Sequence, residues 1–489
     1  MTNRSPGRAP EPGPAPLDTP LDIYDAVGLA ELIRNGDLRE KEVLELVADR
    51  IATRDPDINA LVATRLDEAR DEVARGLPDG PLRGVPIGIK DLYCDVAGLP
   101  STHGSRMFEH AVAKRDADLV IRYRAAGLAV LGKTNTAEFG ASASTEPALH
   151  GPTRNPWNPA YSAGGSSGGA AAAVAAGILP AAHATDAAGS IRIPASACGL
   201  FGMKPSRGLV WNGPRASALS VPMAVSHAVT RTVRDSAALL DATAGTVPGA
   251  PFATPAMEEP FSAAVRRPPA RLRIGYTTVA PDGTPVDPEI AAAVEEAAAL
   301  FERLGHEVRA AGPSFDPDLP GRALDVLFGA GLRGLVDTVV RARGRALGDE
   351  ELEPMTRRQY EEAAGVTGSA VLHALQETEQ LDRTVAGFYA DHDIWLSPTV
   401  PAPPPRLGVL DTAVPGTADA IARYTVFTRI ANLTGQPAAS LPFGRDAAGV
   451  PIGVQITAPH GHDAVVLRLS AQFEEAAPWD WTAPWPPVA

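Results

Sequence analysis

Ser190 closes a run of small residues, Asp186-Ala187-Ala188-Gly189-Ser190, and a second run, Gly164-Gly165-Ser166-Ser167-Gly168-Gly169, lies a short way upstream. Glycine and alanine leave backbone N–H groups uncovered, so a negatively charged atom can approach them closely. A serine at the end of such a run has the surroundings of a nucleophile beside an oxyanion hole. The candidate donors are the N–H groups of Ala187, Ala188, Gly189 and Ser190. The serine needs a base. Within this stretch the titratable candidates are His183 and Asp186. Further upstream, Lys90 ends a short apolar strand in GVPIGIKD, residues 84–91. An amine in an apolar strand is costly to leave charged, so its pKa falls. A neutral lysine is a competent base, and Ser–Lys pairs are a variant of triad logic. Asp186 and Arg192 are close in sequence and opposite in charge. They are expected to pair and brace the turn, not to carry acid–base chemistry.

Each residue also has a plain structural reading. Ser166 or Ser167 could cap the alanine-rich helix expected over 170–177. Ser190 could be an ordinary turn serine, and Lys90 could snorkel from a strand end. The joint occurrence of all three, with Asp186 and Arg192 flanking Ser190, favours chemistry. Two motifs match literally and fail mechanically. Residues 127–134, GLAVLGKT, satisfy the P-loop pattern, but their centre is apolar and reads as a strand rather than a phosphate loop. Residues 164–168, GGSSG, satisfy the nucleophile-elbow pattern, but an apolar strand should precede it and residues 155–161 are broken by prolines. His103 reads as a plain loop histidine.

The order and spacing of GVPIGIKD, GGSSGG and DAAGSIRIPA resemble the amidase signature family. Gly132-Lys133-Thr134-Asn135, Asn155-Pro156-Trp157-Asn158 and Gly435-Gln436-Pro437-Ala438 extend the likeness over roughly residues 20–475. The resemblance implies amide hydrolysis through an acyl-enzyme on a Lys–Ser–Ser triad. Lys90 would be the base, Ser166 a bridging serine after a cis peptide bond, and Ser190 the nucleophile. Ser167, Asp186 and Arg192 would support them. Gly140 and Ser142 would line the acyl pocket, and Gly168 and Gly169 would pack closely. The DAAGS turn looks nearest to that of bacterial cyclic-amide and oligoamide hydrolases. Ala187 and Ala188 stand where glycine is common in the family, and two methyl groups should narrow the approach to the oxyanion hole. The implied fold is α/β, a single large mixed sheet of about eleven strands covered by helices on both faces.

The rest of the sequence bounds this reading. The chain has 489 residues, 45% hydrophobic but only 5% aromatic, so its core must be Ala, Val, Leu and Ile. A net charge of −14 argues against a nucleic-acid footprint and an anionic membrane surface. The two cysteines, Cys94 and Cys198, make no disulfide framework, and no Cys/His cluster has metal-ligand spacing. No cofactor and no metal are expected. The expected partners are a small-molecule amide and, at most, a second copy of the chain in a homodimer. No secretory or membrane-spanning segment is legible, so a cytoplasmic protein is expected.

Alternating strands and helices suggest one α/β unit over 21–476, with a catalytic core at about 80–240 and a variable helical cover at about 320–392. Residues 1–20 are Pro-rich and expected to be disordered. Residues 477–489 form a tail with no assignable role. A single helix is expected over 418–433. Two other readings remain at this stage: the amidase-like subunit of a glutamine-dependent amidotransferase, and a non-catalytic scaffold.

Overall fold

The computed structural model describes residues 19–211 and 222–487. Most of the Pro-rich N-terminal stretch lies outside them. Thr19 and Pro20 are among the described residues. The Asp22 carboxylate accepts the Thr19 N–H (2.9 Å), starting a helical turn over Pro20–Ile23.

The strands, in chain order, are β1 Leu61–Thr64, β2 Pro86–Lys90, β3 Ala129–Thr134, β4 Arg154–Asn155, β5 Asn158–Ser162, β6 Ala181–Asp186 and β7 Phe201–Lys204. They continue with β8 Val225–Thr230, β9 Arg273–Tyr276, β10 Glu307–Ala310, β11 Ile394–Pro398, β12 Ala438–Arg445 and β13 Pro451–Thr457. Eleven of them form one mixed sheet in the order β1-β3-β2-β6-β8-β7-β12-β13-β11-β9-β10, as the family resemblance implied, with helices covering it. β4 and β5 make a separate two-stranded pair. The sheet divides cleanly in sequence. Its first six strands come from residues 61–230 and its last five from 273–457, joined where Ala438 of β12 pairs with Lys204 of β7.

The centre of the first half is buried on both faces, so its strands read as small or apolar runs rather than alternating ones. All five residues of β2 and all six of β3 are buried. They run parallel, Ile87 opposite Val130, and the Asp118–Ala125 helix makes the crossover between them. On the other side β2 runs parallel to β6, Gly88 opposite Ala182. The Gly168–Ala175 helix packs on these strands with all eight residues buried. Only small side chains permit that depth. A Cβ on Gly169 would lie 2.4 Å from the Asn135 nitrogen, and one on Gly168 would lie 2.5 Å from Thr145 Oγ1. The sequence from Ala170 to Ala176 is thus core because it is small, not because it is strongly hydrophobic.

Three expectations fare differently in detail. The helix expected over 418–433 is broken into Thr417–Tyr424 and Thr428–Leu433. At the break the Thr425 hydroxyl bonds back to the carbonyls of Ile421 (3.1 Å) and Ala422 (3.2 Å), and the Val426 N–H turns to the Arg423 carbonyl (3.3 Å) instead of continuing the ladder. The Pro-broken stretch before Gly164 does form a strand, β5, which tolerates Pro159 because it belongs to a two-stranded pair outside the main sheet. The tail also packs. Trp479, Trp481 and Trp485 lie against the core, Trp479 Nε1 donates to the Arg231 carbonyl (3.0 Å), and Ala483 N–H donates to the Ala175 carbonyl (2.8 Å). Among the described residues no helix is long and apolar enough to cross a membrane.

Candidate active site

β2 delivers Lys90 at its C-terminal end, fully buried. Its Nζ donates to Ser166 Oγ at 2.7 Å and to Thr185 Oγ1 at 2.9 Å. Burial drives the amine's pKa well below the usual lysine value, and the opposing attraction of Asp186 does not restore it. The positive end of the Gly168–Ala175 helix, whose N-cap is Ser167, favours the same uncharged state. Ser166 is buried and follows a cis Gly165–Ser166 peptide. Ser167 does not cap the helix through its side chain; its hydroxyl donates to the Thr185 carbonyl at 3.2 Å.

Ser190 sits in the turn between β6 and the Arg192–Cys198 helix, 9% exposed, and its hydroxyl makes no hydrogen bond among the described residues. The turn is braced by Asp186. Arg192 donates to it from Nε (3.0 Å) and Nη2 (2.9 Å), and Asn432 from Nδ2 (2.9 Å). Burial alone would raise the carboxyl, but the Arg192 guanidinium outweighs it and holds the pKa at about 2. Arg192 in turn donates to Gln455 Oε1 (2.7 Å) and Asn432 Oδ1 (2.6 Å). Asp186 is therefore a brace whose acceptor sites are occupied. His183, the other nearby candidate base, accepts the Lys90 backbone N–H at 3.3 Å. Burial depresses its pKa strongly, helped by the charge of Lys133.

The four expected oxyanion donors differ in their partners. The Gly189 N–H donates to Asp186 Oδ1 at 2.7 Å. The N–H groups of Ala187, Ala188 and Ser190 have no acceptor among the described residues. The Ala188 carbonyl is turned away from them and accepts the Thr428 hydroxyl at 2.5 Å.

These groups open onto a cavity of about 430 Å³. Gly140, Ser142, Gly165, Ala187, Ala188 and Ser190 line its floor. A Cβ on Gly140 would lie 3.1 Å from Ser166 Oγ, so the wall at Gly140 leans directly on that hydroxyl. Ser142 Oγ donates to the Leu410 carbonyl at 2.8 Å. The opposite wall comes from the Leu319–Arg343 and Pro354–Glu362 helices and from residues 418–429, with Leu324, Met355 and Ile421 supplying apolar surface. Sequence reasoning missed Thr185, Thr428, Asn432 and Gln455. Only Thr185, one residue before Asp186, carried a local signal. No group of three or more His, Cys, Asp or Glu able to hold a metal ion exists among the described residues. Lys133 makes no phosphate loop: its Nζ donates to the Cys94 carbonyl (2.7 Å) beside Asp91.

Comparison with known proteins agrees in one direction. The Amidase family model matches residues 42–467. The chain is 38% identical over 475 residues to 6-aminohexanoate-cyclic-dimer hydrolase of Paenarthrobacter ureafaciens, covering 94% of this chain and 96% of that protein. The solved structure of 6-aminohexanoate cyclic dimer hydrolase complexed with substrate superposes with a TM-score of 0.88 at 36% identity, covering 94% and 98% of the two chains. A bacterial aryl acylamidase of the amidase signature family superposes with a TM-score of 0.87 at 29% identity, with the same coverage, 94% and 98%.

Proposed function

The chain belongs to the amidase family and is a hydrolase of carbon–nitrogen bonds other than peptide bonds, and from that premise we propose that it cleaves a carboxylic amide through an acyl-enzyme on Ser190. The observation that carries the reading is the 2.7 Å contact between Lys90 Nζ and Ser166 Oγ at full burial. With the amine uncharged, that bond runs the other way. Ser166 O–H donates to the Nζ lone pair while an Nζ–H still donates to Thr185. Ser166 then accepts the Ser190 proton as Ser190 Oγ attacks the amide carbonyl. The carbonyl π electrons become an oxyanion facing the N–H groups of Ala187, Ala188 and Ser190. One such donor is worth about 3–4 kcal/mol in the transition state. Collapse breaks the C–N bond, and the proton held by Lys90 returns through Ser166 to the leaving nitrogen. Water repeats the sequence on the ester, releasing the acid and restoring Ser190.

A cavity of about 430 Å³ whose far wall mixes apolar Leu324, Met355 and Ile421 with charged Asp325, Arg358, Glu362, Asp419 and Arg429 has room for an acyl chain or ring and polar anchors for its far end. Small aliphatic, cyclic and aryl amides are the substrate classes to test, with the cyclic dimer of 6-aminohexanoate among them because a relative is named for it. The experiment is turnover of an amide panel, including glutamine, by the isolated chain, alongside labelling with a fluorophosphonate. The expected outcome is hydrolysis of at least one simple amide, label on Ser190, and loss of both in Ser190→Ala. Label on Ser166 would overturn the assignment of roles, and turnover of glutamine alone would favour an amidotransferase subunit.

A further inference from the structure

Glu138 lies two residues before Gly140, in the wall that leans on Ser166, and is 1% exposed. Its two carboxylate oxygens reach in different directions. Oε1 accepts the Ser105 hydroxyl at 2.6 Å, and Oε2 accepts the backbone N–H of Glu353 at 3.0 Å. Glu353 is the N-cap of the Pro354–Glu362 helix, and its own carboxylate accepts the Ala148 N–H (2.7 Å) and the Thr412 hydroxyl. That helix supplies Met355, Arg358, Gln359 and Glu362 to the catalytic cavity. On its other flank lies a second cleft of about 490 Å³, bordered by Arg106, Glu138, Glu353, Arg357 and Arg358. The helix is therefore a partition with open space on two sides, and Arg358 borders both spaces. Its body packs on the Leu319–Arg343 helix, where Tyr360 Oη donates to Asp337 Oδ1 (2.8 Å), and its N-terminal end is held by Glu138 Oε2 and by the Thr412 carbonyl, which accepts the Met355 N–H (3.2 Å).

We propose that Glu138 is a positioning residue for amide hydrolysis, fixing how far the Pro354–Glu362 helix stands from the wall packed on Ser166 and so setting the fit of the substrate's far end. The proposal rests on the reading of Ser166 and Ser190 as catalytic. It has a specific chemical signature. Glu138→Gln can keep both connections. Its amide oxygen accepts the Glu353 N–H, and its amide nitrogen donates to Ser105 Oγ, whose hydroxyl turns to the Glu351 carbonyl 3.2 Å away. Glu138→Ala loses both, and Glu138→Asp keeps a carboxyl but falls short of one partner.

The test is steady-state kinetics of the four proteins, wild type, E138A, E138D and E138Q, with the amide turned over fastest in the panel. KM should rise about tenfold in E138A and E138D with kcat within about twofold, and E138Q should match wild type in both. A fall in kcat at constant KM, an unchanged KM in E138A and E138D, or failure of E138Q to restore KM would overturn the proposal. If E138A does not fold, E138D carries the measurement. Failure of both to fold would assign Glu138 to stability alone and equally overturn it. Absence of amide turnover in the wild type itself would instead remove the functional reading beneath it.

Discussion

At the scale of single residues, the proposed chemistry turns on the protonation of one amine. A lysine with its pKa driven down by burial reacts only when neutral. Log kcat/KM should therefore rise with pH at unit slope and level off at an apparent pKa below the free-lysine value of about 10.4. Lys90→Ala should lower kcat/KM by about 10²–10⁴-fold, the usual worth of a positioned base. Lys90→Arg should do no better, because a guanidinium stays charged throughout the range. A pH profile unchanged in Lys90→Ala would exclude the amine as base. Lys90 and Ser190 were legible in the sequence because their settings are unusual: an amine at the end of an apolar strand, and a hydroxyl after a run of bare backbone. Ser166 became legible through the family resemblance. The commitment of the Gly189 N–H was not read, although an aspartate three residues before it is the pattern of a side chain folding back on its own turn.

At the scale of elements, the site is a clamp between β6 and the helices that follow it. Arg192 is wholly buried and joins Asp186 on β6, Asn432 on the Thr428–Leu433 helix and Gln455 on β13. Arg192→Met strips Asp186 of its counter-charge without restoring water, and should destabilise the protein by about 3–5 kcal/mol in denaturant unfolding. A loss below about 1 kcal/mol would mean that Asn432 alone suffices. The pairing of Asp186 with Arg192 was readable from six residues of sequence. Its remote partners were not, because Asn432 and Gln455 lie more than 200 residues away and nothing local marks them. β6 itself, AAHATD, was missed for a related reason. Its interior is alanine, so it lacks the β-branched pattern that advertises a strand, and only burial on both faces makes it one. The break at Thr425 escaped notice because helical spacing of apolar residues runs straight through it.

At the scale of the whole molecule, the C-terminal tail holds more than its composition suggests. Its Ala483 N–H holds the end of the Gly168–Ala175 helix at the Ala175 carbonyl, its tryptophans lie against the core, and the Arg54 guanidinium stacks over Trp485 at 5.3 Å. Removing residues 479–489 should lower stability by about 2–4 kcal/mol, measured by denaturant unfolding, while KM stays within about twofold. A truncated chain as stable as the intact one would show the tail to be merely adherent. Fold class and strand number came from the resemblance and the α/β alternation. The order of strands did not, since it depends on pairings between segments hundreds of residues apart.

That order has a consequence for how the polypeptide is made. The first six strands emerge from the ribosome together, and they end on β7, whose outer edge waits for β12. Between Lys204 and Ala438 lie 233 residues of unfinished translation, about 10–50 s at ordinary elongation rates. For that interval a nascent half-sheet presents an unpaired rim of backbone donors and acceptors, the kind of edge on which chains stick to one another. Yield in the cell should thus depend on what shields β7 during synthesis, a demand that the finished enzyme no longer displays.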